Sequence, residues 1–118
     1  MPFVWVISEE WMLRAGIRAE LREKGVTALG MESAENVGRV LASGEMPTVI
    51  VIDGNANAAS HPAVQQLVGR VPAVVIAPRT TTITLGAATK VLFRPVQISE
   101  IVTAVLELAK GLRHSEIL

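Results

Sequence analysis

Five short aliphatic runs, separated by stretches of helical periodicity, constrain this chain more than any other feature. They are Phe3–Ile7, 26–30, 48–52, Ala73–Ala77 and 91–93. Their β-branched residues, bounded by Gly and Pro, read as buried strands. Between the first two, residues 11–24 carry Leu13, Ile17 and Leu21 four apart on one helical face, and Gly25 follows as a left-handed cap. Ser33 is placed to N-cap a second helix with Val37, Val40 and Leu41, closed by Gly44. Pro62 suits the first turn of a third, which carries Val64, Leu67 and Val68, with His61 as a helix-start residue rather than a ligand. Ser99 is read as the cap of a last helix bearing Ile101, Val102, Val105, Leu106 and Ala109 and ending at Gly111, with residues 112–118 as a tail frayed or draped on the surface. Residues 79–89 are the least legible, because their threonines favour extended structure and Gly86 interrupts a helix.

Strands alternating with helices, joined by right-handed crossovers, give an α/β domain with helices on both faces of a parallel sheet. For five strands the expected doubly wound order is 2-1-3-4-5, with its crevice at the carboxyl ends of strands one and three. Composition agrees: 50% of residues are hydrophobic but only 3% aromatic, so the core is built from Val, Ile, Leu and Ala, as suits strands buried on both faces. The 118 residues fit one domain, 1–118, without a linker or repeat, and Met1 with the brief tail reads as a whole protein. The formal net charge of +0 lacks the basic excess of a nucleic-acid binder. With no cysteine there is no disulfide, thiolate nucleophile or Cys-based metal site, and His61 and His114 alone do not make a zinc site. No run reaches membrane-spanning length and no signal peptide precedes the first strand, which leaves the cytoplasm as the expected compartment.

The residues expected at the crevice carry the chemistry. Ser8, Glu9 and Glu10 end the first strand, Asp53 ends the third before Gly54 and Asn55, Ala77 and Pro78 end the fourth, and Arg94 and Pro95 follow the fifth. Acids facing a cation across such a crevice can hold a divalent ion and a phosphoryl group. Blander readings stand beside this one. Asp53-Gly54 is a turn dipeptide in other settings, and Glu9 and Glu10 suit a helix N-terminus. Arg94 reads as a salt-bridge partner that replaces ligand chemistry at Asp53. Arg14, Arg18 and Arg22 form a ridge along the first helix, read first as a solvated face and alternatively as a docking face for an acidic partner. Trp11 is expected partly exposed at the crevice rim.

The stretch from Ile7-Ser8-Glu9-Glu10 to Ile17-Arg18, the run 48–54 bearing Asp53, the run 72–77 and the run 90–95 ending in Arg94-Pro95 together resemble a response-regulator receiver domain of the CheY-like, flavodoxin-like architecture. The resemblance extends over about residues 3–110. It implies that Asp53 accepts a phosphoryl group, that Glu9, Asp53 and the Asn55 carbonyl bind Mg2+, and that a hydroxyl after strand four and a lysine after strand five read the phosphate. Several of those positions depart from the pattern. The first acid is Ser8, so Mg2+ binding is expected to be weak, with Glu10 as an accessory. The hydroxyl position is Ala77, the lysine is Arg94 and the aromatic switch position is Val91. The span between Ala77 and Arg94 is also shorter than the family's, which implies a degenerate fourth helix.

These departures lead to an expected pseudo-receiver: a two-component-type signalling domain that works through protein contacts without obligatory phosphorylation. The alternatives are an Mg2+-dependent phospho-receiver using Asp53, and a flavin- or nucleotide-binding protein on the same fold. No enzyme with turnover is expected, at most self-phosphorylation at Asp53. The expected partners are signalling proteins, a histidine kinase or a downstream target, and a second copy of the chain through the last strand and helix.

Overall fold

The computed structural model describes residues 3–54, 61–78 and 89–117, with side chains to Gly111. In chain order the elements are β1 (Phe3–Ile7), α1 (Trp11–Glu23), β2 (Thr27–Met31), α2 (Ala34–Ala42), β3 (Val49–Asp53), α3 (Pro62–Val68), β4 (Ala73–Ala77), β5 (Thr89–Phe93) and α4 (Ile98–Ile117). All strand pairs are parallel and the sheet order is β2-β1-β3-β4-β5, the doubly wound order expected.

The two-residue alternation of the strands sorts the core into two layers. Val4, Val6, Val49, Val51, Val74 and Ile76 pack with Ile17, Leu21, Ile101 and Val105 beneath α1 and α4. Trp5, Ile7, Ile50, Ile52 and Val75 pack on the other face with Val37, Val64 and Leu67 of α2 and α3. Every residue of β3 and β4 is buried, which explains why these strands read as unbroken aliphatic runs. Each such Val or Ile contributes about 1.5–3 kcal/mol by leaving water.

Local signals set most boundaries. The Ser33 hydroxyl accepts from the Asn36 N–H at 3.3 Å, and His61 caps α3 by accepting from Ala63 at 3.1 Å through Nδ1, with Pro62 opening the helix. Gly25 and Gly44 hold left-handed φ values of 76° and 90° just past α1 and α2. Two expectations at the last helix are corrected. It begins at Ile98, one residue before Ser99, with the Gln97 carbonyl accepting from Glu100 and Ile101. Its backbone also continues to Ile117, past Gly111 where the helix was expected to end. A glycine inside a helix costs only about 1 kcal/mol against alanine, and no proline follows to stop the chain. The degenerate fourth helix expected between β4 and β5 falls on residues 79–88, outside the described residues.

Candidate functional site at the carboxyl end of the sheet

Strand register assembles the site. β1 pairs with β3 through Ile7↔Ile52, so the residues one step further, Ser8 and Asp53, lie side by side. β4 follows β3, and its last residue Ala77 is opposite Phe93 of β5. Arg94 therefore leaves the sheet next to Asp53, its N–H held by the Ala77 carbonyl at 2.9 Å. The Gly54 N–H is pinned to the Ile76 carbonyl at 2.7 Å, and a Cβ on Gly54 would sit 2.7 Å from that same oxygen. Only glycine lets the chain turn so close to β4.

Asp53 is 2% exposed and Ser8 1% exposed, and they are the buried polar residues of the described core. A carboxylate taken out of water requires compensation, and two side chains supply it. The Ser8 hydroxyl donates to Asp53 Oδ2 at 2.8 Å. The Arg94 guanidinium donates to Oδ1 at 3.1 Å. The Ser8 oxygen in turn accepts the Glu10 N–H at 3.1 Å, so the hydroxyl ties β1, β3 and the entry to α1 together. Glu10 Oε2 lies 3.6 Å from Arg94 on its solvent side. Arg94 thus lies between a buried acid and an exposed one. The reading of Arg94 as a salt-bridge partner of Asp53 describes this geometry.

The other expected residues are placed as follows. Glu9 is exposed just before α1, Ala77 is fully buried and brings no hydroxyl, and Val91 sits mid-strand on β5, paired with Val75. Asn55 lies outside the described residues. Among the described residues no three acidic or histidine side chains come together as a metal site. Next to Asp53 stands a hydroxyl that donates, where a hard cation calls for a second carboxylate, so the described residues do not fit a magnesium centre. Trp11, expected partly exposed, is 67% exposed, and its neighbour Met12 is 70% exposed.

Sequence reasoning missed one residue of this site. Arg14, one turn into α1, donates through a terminal nitrogen to the Ser8 carbonyl at 2.6 Å. The sequence groups it with Arg18 and Arg22 as one ridge. Of the three only Arg22 is exposed, while the half-buried Arg14 and Arg18 lay their stems across β2 at Gly30. The available signal was Gly30 itself, a glycine inside a strand, which often marks a close approach.

Neither a protein-family model nor a curated protein matches the sequence. Solved structures do match over nearly the whole chain. A response regulator receiver protein from Burkholderia phymatum is similar at 21% identity and a TM-score of 0.77, covering 93% of this chain and 96% of its own. The receiver domain of Francisella response regulator 1452 gives 17% identity and a TM-score of 0.77, over 95% of this chain and 99% of that one. A response regulator receiver domain protein from Clostridium thermocellum is 14% identical with a TM-score of 0.72 and full coverage of both chains. The fold is therefore that of response-regulator receiver domains. Among the described residues no helix is long and apolar enough to cross a membrane.

Proposed function

We propose that this chain is a pseudo-receiver: a signalling domain that keeps the receiver fold and acts through protein contacts in the cytoplasm, without obligatory phosphorylation. The observation that carries the reading is the engagement of both Asp53 carboxylate oxygens by the chain's own side chains, Ser8 at 2.8 Å and Arg94 at 3.1 Å. A phosphoryl group on Asp53 would have to displace them. It would then find Ala77 without a hydroxyl and Val91 without a ring, and so would make little contact that differs between two conformations. A ligand shifts an equilibrium only by such a difference. No catalytic turnover is proposed. The partners are signalling proteins, a histidine kinase or a downstream target, and the β5 edge, where Phe93 is 51% exposed, is the face for a second copy.

Intact mass after incubation with magnesium and a small phosphodonor, for wild type and Asp53→Ala, tests the reading. The expected result is no gain in either protein under conditions that label a competent receiver. A phosphate-sized gain in wild type alone would overturn the proposal and make Asp53 an acceptor.

A further inference from the structure

We propose that the open edge of β2 is a docking groove for an extended acidic segment of a partner protein, which adds a strand to the sheet beside Gly30. The proposal goes beyond the pseudo-receiver reading and rests on it only in taking the ligand to be a protein.

β2 is the edge strand of the sheet and, among the described residues, pairs with β1 alone. The Met31 carbonyl accepts the Ser8 N–H at 3.0 Å, so Met31 turns its backbone groups toward β1. Backbone direction alternates along a strand, so Leu29 turns the same way, while Ala28 and Gly30 turn their N–H and C=O groups outward. Native edge strands are commonly blunted by charges on the strand itself, by proline or by a bulge. β2 reads Thr27-Ala28-Leu29-Gly30-Met31 and has none of the charged or proline residues that do this. The opposite edge carries Lys90 on β5, ion-paired with Glu107 of α4.

Along the β2 edge runs a groove lined by Leu29, Gly30 and Met31, with Arg14 from α1 on one side and Asn36 and Arg39 from α2 on the other. Gly30 makes this shape. A Cβ there would lie 3.3 Å from the Cδ atoms of both Arg14 and Arg18, so its absence lets the two stems lie flat over the strand. Arg18 Nε is buried with no hydrogen-bond partner. Among the described residues none of Arg14, Arg18 and Arg39 makes an ion pair, and Glu32 at the end of the groove pairs with none of them. In a chain of net charge +0 this edge gathers three arginines against one lining acid, Glu32, a local positive excess.

The complement follows from the geometry. An added strand forms main-chain hydrogen bonds with Gly30 and Ala28, and its side chains alternate between the two faces. Arg14 and Arg18 meet one face and Arg39 the other, so adjacent acidic residues in the segment are served in turn, by charge-assisted hydrogen bonds.

The test titrates the labelled full chain with a short synthetic peptide, Thr-Val-Glu-Glu-Val-Glu-Glu-Val-Thr, followed by NMR, with a lysine-for-glutamate peptide as control. The expected result is shifted and exchange-protected amides at Ala28 and Gly30, seen only with the acidic peptide. Arg18→Glu and Arg39→Glu should each weaken binding about tenfold, and Arg22→Glu, off the groove, by less than about twofold. Gly30→Pro, which removes an outward N–H, should abolish the protection. A peptide N-methylated at alternate amides should bind about tenfold more weakly in wild type, a readout independent of whether the proline variant folds. Unchanged Ala28 and Gly30 amides, or equal losses from Arg22→Glu and Arg39→Glu, would overturn the proposal in favour of no binding or diffuse charge attraction. Asp53 takes no part in this experiment, so its failure and a failure of the phosphorylation test are read separately.

Discussion

The carboxyl end of β3 and the free edge of β2 treat charge in opposite ways. At the first, a nearly inaccessible carboxylate has a donor on each oxygen, both from the chain itself. At the second, three arginines stand round an unpaired strand edge and, among the described residues, none of them makes an ion pair, although Glu32 also lines the groove. Burial explains the difference. Asp53 cannot borrow solvation from water, so its compensation had to be built in. The arginines keep part of their surface in water and can stay uncompensated until a partner arrives. The difference teaches that the position to which the receiver fold draws attention is internally satisfied here, while unsatisfied binding capacity lies at the sheet edge.

The comparison breaks most readily at Arg94. Arg94→Ala strips Asp53 of its cationic partner and should cost about 2–3 kcal/mol in urea unfolding; the Arg94 side chain is 31% exposed, which keeps the loss below that of a fully buried pair. Asp53→Asn in the same background should return part of that loss, since the two positions form one interaction. A loss under about 0.5 kcal/mol would mean that the closed site is not closed by charge.

A smaller effect sharpens the comparison at Ser8. Ser8→Ala should lower stability by about 1.5 kcal/mol, the worth of a hydrogen bond to a charged group. Ser8→Asp should be destabilised in chelator and recover with millimolar magnesium, because it places two carboxylates together for a hard cation to bridge. Thermal unfolding of the wild type should move by less than about 1 °C under the same change. An equally large magnesium shift in wild type would show that the native residues already hold the ion.

The smallest expected effect is at the edge. Arg18→Glu and Arg39→Glu should each leave unfolding free energy within about 0.5 kcal/mol of wild type, since neither makes an ion pair in the described structure. A larger loss would mean that these arginines support the fold rather than wait for a ligand.

Much of the architecture was legible beforehand. β4 is bounded where its aliphatic run is bounded, and β3 ends one residue beyond its run, at Asp53. Gly25, Ser33 and Pro62 mark helix ends because each answers a local backbone requirement. The last helix was misread at both ends for the same reason: Ser99 and Gly111 are good boundary residues, but neither forces a boundary. The candidate site was half legible. Asp53 and Arg94 stood out as charges at strand ends, while Ser8 looked only like a lost acid and Arg14 like surface.

By itself the sequence determined the parallel sheet with a core layer on each face, because continuous aliphatic runs and helix-capping residues act over a few neighbours. It also determined which charges reach the carboxyl end of the sheet. The tertiary structure alone decided which of those charges meet. The contacts from Ser8 and Arg94 to Asp53 span 45 and 41 residues of chain, and the passage of Arg14 and Arg18 over Gly30 depends on how α1 lies across β2. Strand register and helix packing set such distances, and no local pattern encodes them.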